Sequence, residues 1–148
     1  MTEMTPEDAY FILNTSIEGS REVNRAIHLL VTGEDSPGHH YDVPYSTSLD
    51  MACSLIPDLA FIWEFRTINE GIVGGFAWLY GPSSPWHSDV QCWGRYLSTV
   101  DHRKSLSLAV VTAALDARKN IETETPIPYD QVNAAGGLTY WPRVIEPE

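Results

Sequence analysis

The sequence predicts an α+β fold in which helices pack on a small antiparallel sheet, as an α/β/α-type sandwich. Apolar residues recur at helical spacing in four segments, and two aromatic-rich runs between 61 and 80 alternate with a period of two. The chain has 148 residues, 43% of them apolar, which is enough for one domain with one core. We expect residues 1–120 to form this core and residues 121–148 to form an irregular C-terminal tail.

The first two helices are predicted by their capping residues. Thr5 can cap a helix that has Pro6 in its first turn, followed by apolar residues at helical spacing. Ser20 can cap a second helix, and Gly33 is a natural stop for it. Residues 34–45 are rich in proline, glycine and acids, so they predict a loop.

A third helix is expected from about residue 46. Ser46 or Thr47 can cap it, a buried stripe runs from Leu49 to Ile56, and Pro57 ends it.

Two strands follow. Residues 61–67 and 72–80 are aromatic and β-branched, and the turn residues Asn69, Glu70 and Gly71 join them as a hairpin. The segment 81–99 is then predicted to be a long connection that is extra to the fold.

Residues 101–120 predict the last helix, whose broad apolar surface indicates that it packs against the sheet.

Several of these segments resemble the small phage and prophage proteins known as phage ABA-sandwich domain proteins. The similar features are Ser20-Arg21-Glu22 opening a helix that ends at Gly33, the run from Pro44 to Asp50 heading the next helix, a tryptophan-bearing strand, and an alanine-rich helix ending in Ala117-Arg118. The resemblance covers roughly residues 20–80 and 100–119. It implies a phage origin and a sandwich of helices around a small sheet, and it implies no catalytic residues.

The charge of the chain bears on its partners. Twenty acidic and nine basic residues give a formal net charge of -11. This charge repels nucleic acid and anionic membranes, so we expect neither as a direct partner. An acidic surface that mimics DNA toward a host protein stays open. With no apolar run of spanning length and no signal segment, we expect a protein of the host bacterial cytoplasm.

Residues suited to catalysis or metal binding are few. His39 and His40 lie near acidic residues in the loop 34–45, but neighbouring loop side chains rarely converge on a metal, so a solvated loop is the preferred interpretation. Cys53 and Cys92 make no metal or redox motif and are expected to be reduced packing residues. The sequence therefore favours a non-catalytic protein without metal or cofactor.

The segment SPWHSDVQCWGRYL and the residues after it supply the candidate ligand site. Aromatic rings can stack on a base, and the cations near the expected helix start at Asp101 can hold phosphate. The candidate ligand-binding residues are Trp86, Trp93, Arg95, Tyr96, Arg103 and Lys104. The alternative is that these tryptophans only cover a sheet edge or a subunit interface.

Two functions follow as hypotheses. In the first, a phage accessory protein counters a host antiviral function by sequestering a small anionic, nucleotide-like ligand. In the second, its acidic N-terminal half inhibits a host nucleic-acid-binding factor by mimicry or protein binding. We also expect a homo-oligomer, most simply a dimer, because two strands make a very small sheet.

Overall fold

The computed structural model describes residues 4–33, 43–57, 62–67, 75–82, 90–97, 104–128 and 130. Its elements, in chain order, are α1 (Pro6–Thr15), α2 (Arg21–Thr32), α3 (Leu49–Cys53), β1 (Ile62–Thr67), β2 (Gly75–Pro82), β3 (Val90–Leu97) and α4 (Leu106–Thr123). Helices packed on a small antiparallel sheet confirm the predicted α+β class.

The start of α1 and both ends of α2 are those that the sequence predicts, whereas α1 ends at Thr15, before Ile17 and Gly19. The Thr5 hydroxyl accepts a hydrogen bond from the Asp8 amide while the Asp8 carboxylate accepts one from the Thr5 amide, so the two residues form a capping box. The Ser20 hydroxyl caps α2, and Gly33 ends it in the left-handed region with a φ of 80°. Both helices therefore begin, and α2 also ends, where their own residues satisfy the free backbone groups.

The predicted cap of α3 is wrong by one or two residues. Ser48 caps this helix, whereas Ser46 is buried and bonds to α2: its amide and its hydroxyl both donate to Asn24 Oδ1, at 2.9 and 2.6 Å. At Gly19, a Cβ atom would lie 2.3 Å from the Ser46 carbonyl oxygen. The segment before α3 thus packs closely on the start of α2, and this contact removes Ser46 from capping.

The sheet has the order β1-β2-β3, with both neighbouring pairs antiparallel. The β1–β2 hairpin is confirmed, and its turn residues lie outside the described part of the chain. The prediction that 81–99 is only a connection is wrong for residues 90–97, which form β3 along β2. A register shift between Leu79 and Tyr80 leaves Trp93 as an extra residue in β3, and this bulge breaks the alternation by which a strand is recognised.

Helix α4 is the centre of the core. Every residue from 108 to 117 is buried, and the helix contacts β2 and β3 as well as α3. It begins five residues later than predicted, since Ser105 is its N-cap. At Gly94 a Cβ atom would lie 2.1 Å from the Ala113 carbonyl oxygen, so α4 and β3 meet backbone to backbone. Such close contact requires glycine at this position.

The pairing register defines two faces of the sheet. Ala77 and Leu79 of β2 are fully buried and stand opposite Tyr96 and Gly94 of β3, so they share the face that packs on α4, here called the inner face. The alternate positions belong to the outer face. These are 62, 64 and 66 of β1, 76 and 78 of β2, and 95 of β3.

Candidate functional site

Lys104 lies at the end of α1 rather than on a ligand surface. Its side chain is 0% exposed, and its ammonium donates to the carbonyl oxygens of Leu13 and Ser16, at 2.5 and 2.6 Å. These carbonyls belong to the C-terminal turn and cap of α1, where the helix dipole is negative and the helix has no basic residue of its own. The lysine therefore supplies from another segment the positive charge that this helix end lacks.

Two neighbouring contacts complete this junction, which joins the end of α1 to the start of α4. The Ser105 amide donates to the Ile17 carbonyl at 2.8 Å. The Lys104 ammonium also lies 5.5 Å from the centre of the Tyr96 ring, a cation–π distance. Burial lowers the pKa of Lys104 to about 8, while the two carbonyls and the ring favour its charged form.

The two aromatic residues of β3 that the sequence assigned to the ligand site are part of the core. Trp93 and Tyr96 are 4% and 3% exposed and belong to the same buried cluster as α4. The Trp93 carbonyl oxygen accepts a hydrogen bond from Asn120 Nδ2 at 2.8 Å. In this arrangement both rings stabilise the packing between β3 and its neighbours.

Arg95 differs from these two residues because it lies on the outer face. It is partly exposed, and the register places it directly opposite Trp78 of β2, which is itself opposite Glu64 of β1. Residues directly opposite in an antiparallel pair have their Cβ atoms about 4.5–5.5 Å apart. An arginine and a tryptophan thus occupy directly opposed positions on two neighbouring strands.

The free edge of β3 is closed by α4 and by the residues after it. The Asp116 carboxylate accepts the backbone N–H of Arg95, and Asn120 donates to the Trp93 carbonyl. After α4 ends, the Ile127 amide donates to the Cys92 carbonyl at 2.8 Å. We call these three contacts the β3 edge cover. They satisfy backbone groups that would otherwise be buried without partners.

Asp116 has an unusual environment for a carboxylate. It is 7% exposed, and burial raises its pKa, while the nearby Lys119, the Arg95 N–H and the Arg95 guanidinium oppose that rise. The Lys119 ammonium lies 3.6 Å from Asp116 Oδ1. The Asp116 carboxylate therefore bonds to an amide of β3 and lies near two cations, Lys119 and Arg95.

The cysteines are free, as predicted, and are poor nucleophiles. Cys92 is buried, and burial raises the pKa of its thiol to about 11. Burial, with a smaller effect of Asp50, also raises the pKa of the half-buried Cys53. A thiol reacts as its thiolate, so raised pKa values at both residues disfavour thiol catalysis near neutral pH.

The structure separates the six predicted ligand residues. Three of them serve the core or the α1–α4 junction, Arg95 alone is placed on the outer face, and Trp86 and Arg103 lie outside the described residues. His39 and His40 also lie outside them. Sequence reasoning missed Trp78 as a neighbour of Arg95, although its alternation with Phe76 and Tyr80 already assigned it to one sheet face.

The comparisons with known proteins give no assignment. No protein-family model, no curated protein and no solved structure matches the chain. The resemblance to phage ABA-sandwich domain proteins therefore stays a prediction. Among the residues that the structure describes, no three His, Cys, Asp or Glu residues form a candidate metal site, and no helix is long and apolar enough to cross a membrane.

Proposed function

We propose that this protein is a non-catalytic binding protein that holds a small anionic, base-containing ligand on the outer face of its sheet. The observation that carries the proposal is the cross-strand pair of Arg95 and Trp78. An indole ring offers a stacking surface to any nucleobase, and a guanidinium binds phosphate oxygens through two parallel N–H bonds.

The position of Arg95 supports this role. Its backbone N–H is fixed by Asp116, and its strand is packed on α4 through Gly94, so the start of its side chain is rigidly placed. A guanidinium has five N–H donors, so it can bind an anion and also keep a contact within the protein. The protein has a net charge of -11, which repels an anionic ligand. A local cation is needed to offset this repulsion, and Arg95 would supply it on the outer face.

Sequestration is the proposed consequence of this binding. A phage accessory protein that binds a nucleotide signal tightly lowers its free concentration and so counters a host antiviral function. This part of the proposal is supported by the sequence resemblance to phage proteins.

Calorimetry tests the ligand proposal directly. We expect one member of a panel of mono-, di- and cyclic nucleotides to bind, and Arg95→Gln to weaken that binding about 10- to 100-fold, the effect of losing a charge-assisted hydrogen bond. Arg21→Gln is the matched control, because it removes the same charge from an exposed position on α2. Equal affinities of the two variants, or no binding by any nucleotide, would contradict the proposal.

A second candidate function has its own observation on α1. Phe11 is 69% exposed, and Glu7 and Asp8 lie one helical turn before it at exposed positions. Ile17, just after the helix, is 50% exposed. An aromatic anchor beside carboxylates suits a basic protein surface, as the hypothesis of an acidic inhibitor of a host nucleic-acid-binding factor requires.

This second function is tested by crosslinking in a host lysate. We expect a DNA-binding host protein to be captured by the wild type and lost with Phe11→Ser. Thr15→Ser is the control, since it changes an exposed residue one turn further along the same helix. Capture of the same protein by the Phe11→Ser variant would contradict this role for α1.

A further inference from the structure

The outer edge of β1 is the feature of the sheet that the proposed function does not use. In the sheet of the described residues, β1 is a terminal strand that pairs with β2 through all six of its residues, from Ile62 to Thr67. No other described strand pairs with its second side. A strand of this length presents a row of backbone donors and acceptors to which another strand can add.

We propose that β1 pairs with β1 of a second copy, so that two three-stranded sheets join into one sheet of six strands. A symmetric dimer of this kind has its two-fold axis perpendicular to the sheet, so each position meets its partner on the same face. This symmetry allows only pairings that are centred on a residue of the strand.

Among the pairings centred on residues 64 to 66, the charges of β1 favour one. A pairing centred on residue 64 sets two glutamates opposite each other, and one centred on residue 66 sets two arginines opposite each other. Centring on Phe65 instead sets Glu64 opposite Arg66 of the second copy, and symmetry repeats the pair. Opposite charges in directly opposed positions stabilise a strand pair, whereas like charges destabilise it.

The register with β2 places both charged positions on the outer face. Glu64 is opposite Trp78 and Arg66 is opposite Phe76, while Phe65 is opposite Ala77 on the inner face. In the dimer the two Phe65 positions meet at the axis on the inner face. The proposed contact therefore combines a charged outer face with an apolar inner face, as an ordinary half-buried sheet does.

The test is sedimentation of charge-exchange variants over a concentration series up to about 100 μM, a range that detects even weak self-association. The wild type should reach twice the 16.6 kDa mass of one chain. Glu64→Arg and Arg66→Glu should each weaken self-association about tenfold or more, because both symmetric pairs become repulsive. Glu18→Arg is the control, since it makes the same charge change at an exposed position between α1 and α2.

Two further samples test the charge pairing itself. The double variant Glu64→Arg/Arg66→Glu exchanges the charges, so it should dimerise like the wild type. A mixture of the two single variants should form a heterodimer, because the two positive charges of one variant then face the two negative charges of the other. Circular dichroism and thermal unfolding confirm that each variant is folded. A monomeric wild type, or a dimer that neither single variant weakens, would overturn the proposal.

Discussion

The two edges of the sheet differ in what the described part of the chain places against them. At β3, two buried polar side chains of α4 and the Ile127 amide bond to backbone groups of the edge. At β1, the described residues provide pairing on the β2 side only. The difference explains why a core helix carries Asp116 and Asn120, since buried polar side chains are stable when they satisfy a backbone. In the proposed dimer, β1 is the side from which the sheet grows.

The largest expected effect comes from separating α4 from the edge that it covers. Gly94→Ala would place a Cβ atom 2.1 Å from the Ala113 carbonyl oxygen and 2.6 Å from the Ala117 amide nitrogen. Because both are backbone atoms, the helix must move, and we expect a loss of more than about 3 kcal/mol in the free energy of unfolding. Urea unfolding measures it, with Gln91→Ala on the same strand as control. A loss below about 1 kcal/mol would mean that the contact is loose.

Lys104 can be compared with Asp116, because it is a buried charge that bonds to the end of a helix instead of the edge of a strand. Lys104→Met should cost about 2 kcal/mol, because two carbonyl oxygens lose a charged donor. The folded pKa of about 8 lies below the ordinary 10.5, so between these values the unfolded chain holds the proton that the folded chain has released. The stability of the wild type relative to Lys104→Met should therefore rise from pH 8 to 10.5. A flat difference would contradict the depressed pKa.

Asn120 tests one contact of the β3 edge cover by itself. Asn120→Leu keeps the volume and leaves the Trp93 carbonyl without its Nδ2 donor, so we expect a loss of about 1–2 kcal/mol. Thr123→Val on the same helix is the control, since its hydroxyl bonds to carbonyls within the helix. Unfolding free energies that are equal for the two variants would show that the edge does not depend on Asn120.

The smallest effect is the pH dependence that Asp116 brings to the covered edge. Its folded pKa is raised above the ordinary 3.8, so the folded chain binds the proton more tightly than the unfolded chain does. The contribution of Asp116 to stability is therefore complete below about pH 3.8 and declines as the pH rises through the folded value. Relative to Asp116→Asn, the wild type should lose stability on going from pH 3.8 toward neutrality. The opposite slope would mean that Lys119 and Arg95 outweigh burial.

The sequence predicts features that depend on local interactions, and it does not predict those that depend on how the helices and strands pack together. Thr5 locates the start of α1, and Ser20 and Gly33 locate both ends of α2, because helix capping is a local interaction. Strand β3 was missed because the bulge at Trp93 breaks its alternation, and the start of α4 was misplaced because Lys104 binds the end of α1. The roles of Asp116 and Asn120 depend on where α4 docks, which no local pattern contains. Of the predicted ligand residues that the structure describes, Arg95 is the one that belongs to the site on the outer face, and its neighbour Trp78 was not predicted because strand register decides which residues are opposed.

Hydrogen exchange of individual backbone amides tests the contrast between the two edges most directly. The Arg95 amide should be protected at every protein concentration, because Asp116 of the same chain accepts it. The amides of β1 that point away from β2 should exchange fast in dilute protein and become protected as the concentration rises and the dimer forms. Fast exchange of the Arg95 amide would contradict a closed β3 edge. Equal protection, at all protein concentrations, of the β1 amides that point away from β2 would contradict the proposed pairing of β1 with a second copy.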